Sequence, residues 1–208
     1  MYTLTSINAA QPRLVGKNRT GIDKQPLSGP VSVTSEGLPG DFIGSARHHG
    51  GPDQALYIFG GADYDWWQSQ LGRQLPPGIF GENLTISGLE SAPMAAGDRL
   101  TIGDVVLEVT SPRIPCGTFA EWMGDPGFAA RFRAAARPGL YVRVLAPGSL
   151  QAGMTVAYLP FSGERVTILE QFEDYYNPCT DESCLRRLLA APIAERTRRK
   201  VEQRLSVA

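Results

Sequence analysis

The sharpest chemical signal in the chain is Cys116, within Thr110-Ser111-Pro112-Arg113-Ile114-Pro115-Cys116-Gly117. Two prolines stiffen the segment and withhold backbone donors. Arg113 stands three residues before the thiol. A guanidinium near sulfur favours the thiolate, the form that attacks electrophiles and binds soft metals. Cys116 also reads as a small hydrophobe buried in a turn, and spacing alone does not choose between the two. A second concentration of donors is Arg47-His48-His49-Gly50-Gly51-Pro52-Asp53, which holds both histidines. Neutral imidazole binds a metal or an oxo group and imidazolium holds an anion, while the glycines let a ligand approach the backbone. A polar turn is the plainer reading of the same run.

Other polar residues carry weaker signals. Lys24 is the one lysine of a proline-punctuated loop, Lys24 to Pro30. In Gly81-Glu82-Asn83-Leu84, the carboxylate and amide either read a heterocycle's edge or satisfy turn backbone. Gly37-Leu38-Pro39-Gly40-Asp41 lacks the Gly-Lys-Ser/Thr ending of a phosphate loop. Gly97-Asp98 reads as structural. Cys179 and Cys184 form a C-x4-C pair, short of the four ligands of a structural zinc site, and read as incidental thiols. The basic run Arg196, Arg198, Arg199 and Lys200 is interleaved with Glu195 and Glu202 and reads as a solvated helix face, with no nucleic-acid partner. No Ser-His-Asp order, dinucleotide fingerprint or H-E-x-x-H stands out.

These residues need a scaffold. The chain has 208 residues, and its 20 basic and 21 acidic side chains nearly cancel, so any anion site must be local. Hydrophobic residues make up 42% and charged residues 20%, which suits a globular protein with a real core. No stretch approaches the ~18 apolar residues of a spanning helix, so no membrane partner is expected. The start, MYTLTSINAAQPR, lacks the basic and apolar regions of a secretory leader. With three cysteines a disulfide framework is not expected, and a reducing cytoplasm is the default location.

The 23 glycines and 16 prolines exceed the usual share and imply many turns between short strands. Strands are expected at Val31–Val33, Ala55–Phe59, Leu84–Ile86, Leu100–Ile102 and Val105–Val109, the last two joined by a Gly103-Asp104 hairpin turn. Leu140–Leu145 and Met154–Leu159 are expected to pair around Ala146-Pro147-Gly148. Asp63 is expected to cap a helix with Trp66, Trp67 and Leu71, ending at Gly72. Asp125-Pro126 is expected to start another through Phe128, Phe132 and Ala135. Residues 1–162 thus read as a strand-rich barrel or sandwich with a few short helices. Residues 163–208 read as three short helices: one between Val166 and Tyr176, one capped by Asp181, and one opened by Pro192, with Ile193, Thr197, Val201 and Leu205 on one face. So small a unit needs to pack on the barrel or on a partner.

Taken in order, Lys24-x-Pro26, Gly29-Pro30-Val31, Gly37-Leu38-x-Gly40-Asp41, His49-Gly50-Gly51, Gly81-Glu82-Asn83-Leu84, Gly97-Asp98 and Pro112-Arg113-x-Pro115-Cys116 resemble the MOSC domain family, the molybdenum cofactor sulfurase C-terminal type. The matches span roughly residues 20 to 160. The tail, with Leu185-Arg186-Arg187-Leu188-Leu189 as its clearest piece, resembles the three-helix extension of the YiiM-like subgroup.

The resemblance implies a mainly β, MOSC-type barrel over 1–162 with the helical extension over 163–208. It implies binding of molybdenum cofactor and reduction of N-hydroxylated small molecules with electrons from a partner reductase. Pyridoxal phosphate binding is a further family association. Cys116 would ligate the metal, and Lys24, Arg47, His49, Asn83 and Arg113 would face the pterin-phosphate cofactor. A sulfur carrier or transferase with a persulfide on Cys116, and a non-catalytic cofactor-binding module, are the alternatives. A homodimer is compatible with the amphipathic tail. Many relatives are expected to carry an aspartate where this chain has Ser45, which weakens any carboxylate support there.

Overall fold

Residues 1–44 and 49–207 are described by a computed structural model of the chain. Seven strands close on themselves: β1 (Tyr2–Ala9), β6 (Leu56–Gly60), β7 (Leu84–Ser87), β8 (Arg99–Ile102), β9 (Val105–Ser111), β10 (Leu140–Ala146) and β12 (Thr155–Leu159). The order runs β12-β8-β9-β10-β6-β7-β1, and β1 pairs with β12 to complete a barrel. Among the described residues five shorter strands lie outside the ring: β2 (Arg13–Val15), β3 (Asn18–Thr20), β4 (Gln25–Pro26), β5 (Val31–Val33) and β11 (Gly148–Leu150). Closure removes the free edges at which other chains would pair. The interior is aliphatic, with Leu4, Ile58, Leu84, Ile86, Leu100, Ile102, Leu107 and Leu140 fully buried.

Local chemistry explains several of these elements. The Gly103-Asp104 turn joins β8 to β9 with Ile102 opposite Val105, and Gly103 adopts the positive φ of 58° that a two-residue turn demands. β6 and β7 are parallel, a pairing that needs a crossover. The connecting segment contains α1 (Gly61–Leu71), and Gly72 ends that helix in the left-handed region.

One strand pairing is corrected. Leu140–Ala146 and Thr155–Leu159 do not pair with each other. β10 lies between β9 and β6, while β12 pairs with β8 and β1, and β11 pairs with β5. Strand β1 escaped the sequence reading because its register shifts between Leu4 and Ser6. That shift breaks the apolar alternation, although Leu4 and Ile7 are both in the core.

Six α-helices are present among the described residues: α1, α2 (Gly117–Met123), α3 (Phe128–Ala135), α4 (Ile168–Tyr176), α5 (Glu182–Ala190) and α6 (Glu195–Leu205). They and the strands occupy about equal lengths of chain. Asp63 does not cap α1; Gly60 precedes the helix, and the fully buried Asp63 accepts from Ser91 N–H and Arg137. Asp125 does not cap α3; it lies two residues before the Gly127 cap, and its carboxylate accepts from the Gly127 N–H. α2 was not anticipated. An aromatic layer containing Phe59, Trp67, Phe80, Phe119, Phe128 and Phe132 packs α1, α2 and α3 against the barrel.

The last three helices follow β12. Thr167 and Glu170 form a capping box at α4, and Asp181 caps α5 by accepting the Cys184 N–H. Val166, Leu185, Leu188, Ile193 and Val201 make a small core that includes Ala96 from the barrel side. The start of α6 is tied to the barrel: Ala194 N–H donates to Thr110 O at 3.3 Å, and Glu195 N–H to Asp53 Oδ2 at 2.6 Å. α6 therefore lies beside the end of β9, where the Cys116 segment begins.

Candidate functional site

A cavity of about 1030 Å³ opens between the end of the barrel and helices α4 and α6. Lys24, His49, Asn83, Arg113 and Cys116 all line it, although they are spread over nearly a hundred positions. Arg47, His48 and Ser45 lie outside the described residues. Cys116 is partly exposed. It immediately precedes α2, and its carbonyl accepts the Phe119 and Ala120 N–H groups. The stiff Pro112–Pro115 run thus delivers the thiol from the end of β9 to the start of a helix.

Arg113 is held tightly while only 5% exposed. Its guanidinium carbon sits 5.1 Å from the Tyr57 ring centroid and 4.6 Å from that of Phe119, and Nη1 donates to the Phe80 carbonyl. Nε has no partner. Burial opposes the charge, but the surrounding Tyr57, Tyr141 and Cys116 more than offset it, so the group stays protonated. Gly81 makes this seat possible. Its φ is +75°, and a Cβ there would lie 3.0 Å from Arg113 Nη1 and 3.2 Å from Ile22 Cγ1. Gly81→Ala is expected to cost about 1–3 kcal/mol, read as a lower urea midpoint, through the strained φ and the displaced guanidinium.

Lys24 and Asn83 meet at Asp41, the last residue of the Gly37-Leu38-x-Gly40-Asp41 motif. Lys24 Nζ donates to both Asp41 oxygens at 2.6 Å. Asn83 Nδ2 donates to Oδ2 at 2.8 Å, and the Ala10 N–H donates to Oδ1 at 2.8 Å. Burial pushes the Lys24 ammonium down, against the pull of Asp41. The remaining Asn83 capacity goes to Tyr57 N–H, from which Oδ1 accepts, and to the Asn8 carbonyl. Lys24 and Asn83 therefore face the cavity with their charge and hydrogen bonds already engaged. Glu82 is spent internally: Oε1 accepts from Tyr64, Gly78 N–H and Thr85, and burial pushes the carboxyl up.

The opposite side holds residues the sequence reading did not select. Tyr141 Oη is 3.3 Å from His49 Nδ1, and burial pushes its phenol up, so it stays protonated. Arg196 and Lys200 of α6 line the cavity, whereas Arg199 pairs outward with Glu195 at 2.8 Å and Arg198 donates to the Leu189 and Ala191 carbonyls. The basic run is thus not one solvated face. Arg204 also lines the cavity, paired with Asp174 at 2.7 Å. Among the described lining residues, Arg19, Lys24, Arg113, Arg196, Lys200 and Arg204 face only two carboxylates, Asp41 and Asp174. The field favours an anionic ligand.

Cys179 and Cys184 line a separate cleft of about 750 Å³. Burial, then contacts with Cys184 and Asp174, push the Cys179 thiol up to about 12. No cluster of three metal-ligating side chains occurs among the described residues.

Three relationships to known proteins bear on this site. Escherichia coli protein YiiM is 27% identical over 189 residues, which cover 89% of this chain and 84% of that one. A protein named reductase from Gibberella moniliformis is 31% identical over 154 residues, 70% of this chain but only 27% of that one. The crystal structure of YiiM from Geobacillus stearothermophilus superposes with a TM-score of 0.81 at 24% identity, covering 99% of this chain and all of that one. The model of the MOSC domain matches residues 45–157, more than half of the chain, including His49, Asn83, Arg113 and Cys116. The chain therefore belongs to the MOSC domain family, and it carries the C-terminal helices of the YiiM-like members.

Proposed function

We propose that the protein binds molybdenum cofactor in this cavity and reduces N-hydroxylated small molecules, in the cytoplasm, with electrons from a separate reductase. Family membership and the reductase-named relative support a molybdenum-cofactor-related, oxidoreductase-type function. The observation that carries the finer reading is the pairing of a partly exposed thiol, Cys116, with a buried guanidinium whose Nε is unbonded, on the wall of a cation-rich cavity.

The residues present fit the cofactor. Thiolate is a soft donor suited to such a metal. The cations suit a phosphate, and the volume is at the upper end for a bound small molecule. Cys116 Sγ would hold the metal, and Arg113, Arg196 and Lys200 would face the anionic end. The Lys24–Asp41–Asn83 set, already internally bonded, would shape the wall. When bound, the cofactor supplies the redox centre that the protein's own side chains lack. Reduction of R–NHOH to R–NH2 consumes two electrons and two protons and releases water. Tyr141 Oη, beside His49, stays protonated on the cavity wall and can hydrogen-bond the N–O group.

The test is metal and pterin analysis of protein purified from cells that make the cofactor. The expected result is about one molybdenum and one pterin per chain. Metal-free protein without cofactor affinity would overturn the reading. One added sulfur atom on Cys116, without metal, would replace it with sulfur transfer.

A further inference from the structure

Gln171 is the polar residue that barrel packing does not explain. It lies on α4 between Ile168 and Phe172, in that helix's buried stripe. It is 5% exposed, lines the cavity, and among the described residues has no partner for either Oε1 or Nε2. Ser111, at the end of β9, is 4% exposed, lines the same cavity, and its hydroxyl likewise has no partner among the described residues. A buried amide that makes no hydrogen bond is costly, and an apolar residue would serve packing better. Oε1 accepts and Nε2 donates, so together they match a partner that offers a donor next to an acceptor.

We infer that Gln171, with Ser111, is a specificity-determining pair that hydrogen-bonds the amide-like edge of a planar heterocycle, an N–H beside a C=O. The inference rests on the reading of this cavity as the binding site. It adds that the C-terminal helices supply part of the recognition surface. A pterin and an oxopurine-like substrate base share this edge, and the test separates them.

Titration calorimetry on metal-free protein would use free pterin, free hypoxanthine, and quinoline as a planar probe lacking the edge. Wild type is expected to bind at least one of the first two and to discriminate against quinoline. Gln171→Leu is expected to weaken that binding by about tenfold or more. It is also expected to raise the melting temperature of the ligand-free protein by about 3–6 °C, because an unpaired buried amide is removed. Loss confined to pterin identifies the cofactor as the source of the edge, and loss confined to hypoxanthine identifies the substrate. Ser111→Ala is the smaller change and is expected to weaken the same probe without lowering stability, which keeps the inference testable should the leucine variant misfold. Probe binding unchanged from wild type in both variants, failure of the wild type to bind either edge-bearing probe, or a lower melting temperature in a folded Gln171→Leu protein would overturn it. The two readings fail separately: protein that takes up neither molybdenum nor cofactor in cells that make it, yet discriminates between the probes through Gln171, would overturn the proposed function and leave this inference standing.

Discussion

Cys116→Ser is expected to lower reduction of an N-hydroxylated substrate by at least about a thousandfold, the scale of losing a group that touches the reacting centre. It is also expected to strip most of the molybdenum from the purified protein. An alkoxide is a much poorer soft-metal ligand than a thiolate at neutral pH. The fold should survive. Cys116 is only partly buried, and its structural bonds come from its backbone carbonyl, which accepts from Phe119 and Ala120 whatever the side chain. The melting temperature should therefore move by no more than about 2 °C. The decisive comparison uses a chemical electron donor, so that loss of turnover cannot arise from loss of contact with a partner reductase. A serine variant with wild-type turnover and metal content would remove the thiol from the reaction.

What the sequence made legible were features whose cause is local. The Gly103-Asp104 turn, the Asp181 cap and the stiff Pro112–Cys116 segment each depend on neighbouring residues, and each appears where its residues stand. Barrel closure depends on the β1–β12 pairing across the whole chain, which no window of residues contains. The site divides in the same way. The ordered motifs pointed to Lys24, His49, Asn83, Arg113 and Cys116, and these do line one cavity. Their present hydrogen bonds were not legible, because Asp41, which engages both Lys24 and Asn83, is 17 positions from the first and 42 from the second. Gln171 was invisible for a related reason: a polar residue in an amphipathic stripe gains meaning only once the helix is known to flank a cavity. The basic run of α6 shows the limit most directly. Arg196 and Lys200 are one turn apart and face inward while Arg199 pairs outward, so charge counting along the chain could not assign a face.

Asp41→Ala is expected to be the most destabilising single change at the site. The Lys24 and Asp41 side chains are each 7% exposed. Removing the carboxylate leaves a buried ammonium unpaired and also orphans the Ala10 N–H and one donor of Asn83. A broken buried ion pair costs about 3–5 kcal/mol, and for a chain of this size that lowers the melting temperature by about 6–20 °C. The Lys24 ammonium is already pushed down by burial with its partner present. Without Asp41 it is expected to deprotonate at lower pH still. Its folded-state pKa then lies well below its unfolded value, so the unfolded chain binds more protons across the interval between them. The variant should consequently regain stability as pH rises through that interval, which denaturant midpoints measured at successive pH values would show. The double substitution Lys24→Met with Asp41→Leu discriminates between a pair kept for stability and one kept to shape the cavity. Replacing both charges by apolar groups of similar size removes the desolvation penalty along with the attraction. Its stability is expected to return to within about 2 kcal/mol of wild type, while cofactor content stays low because the wall beside Asn83 has lost its anchor. A double variant as unstable as Asp41→Ala alone would show that the unpaired lysine is not the source of the loss.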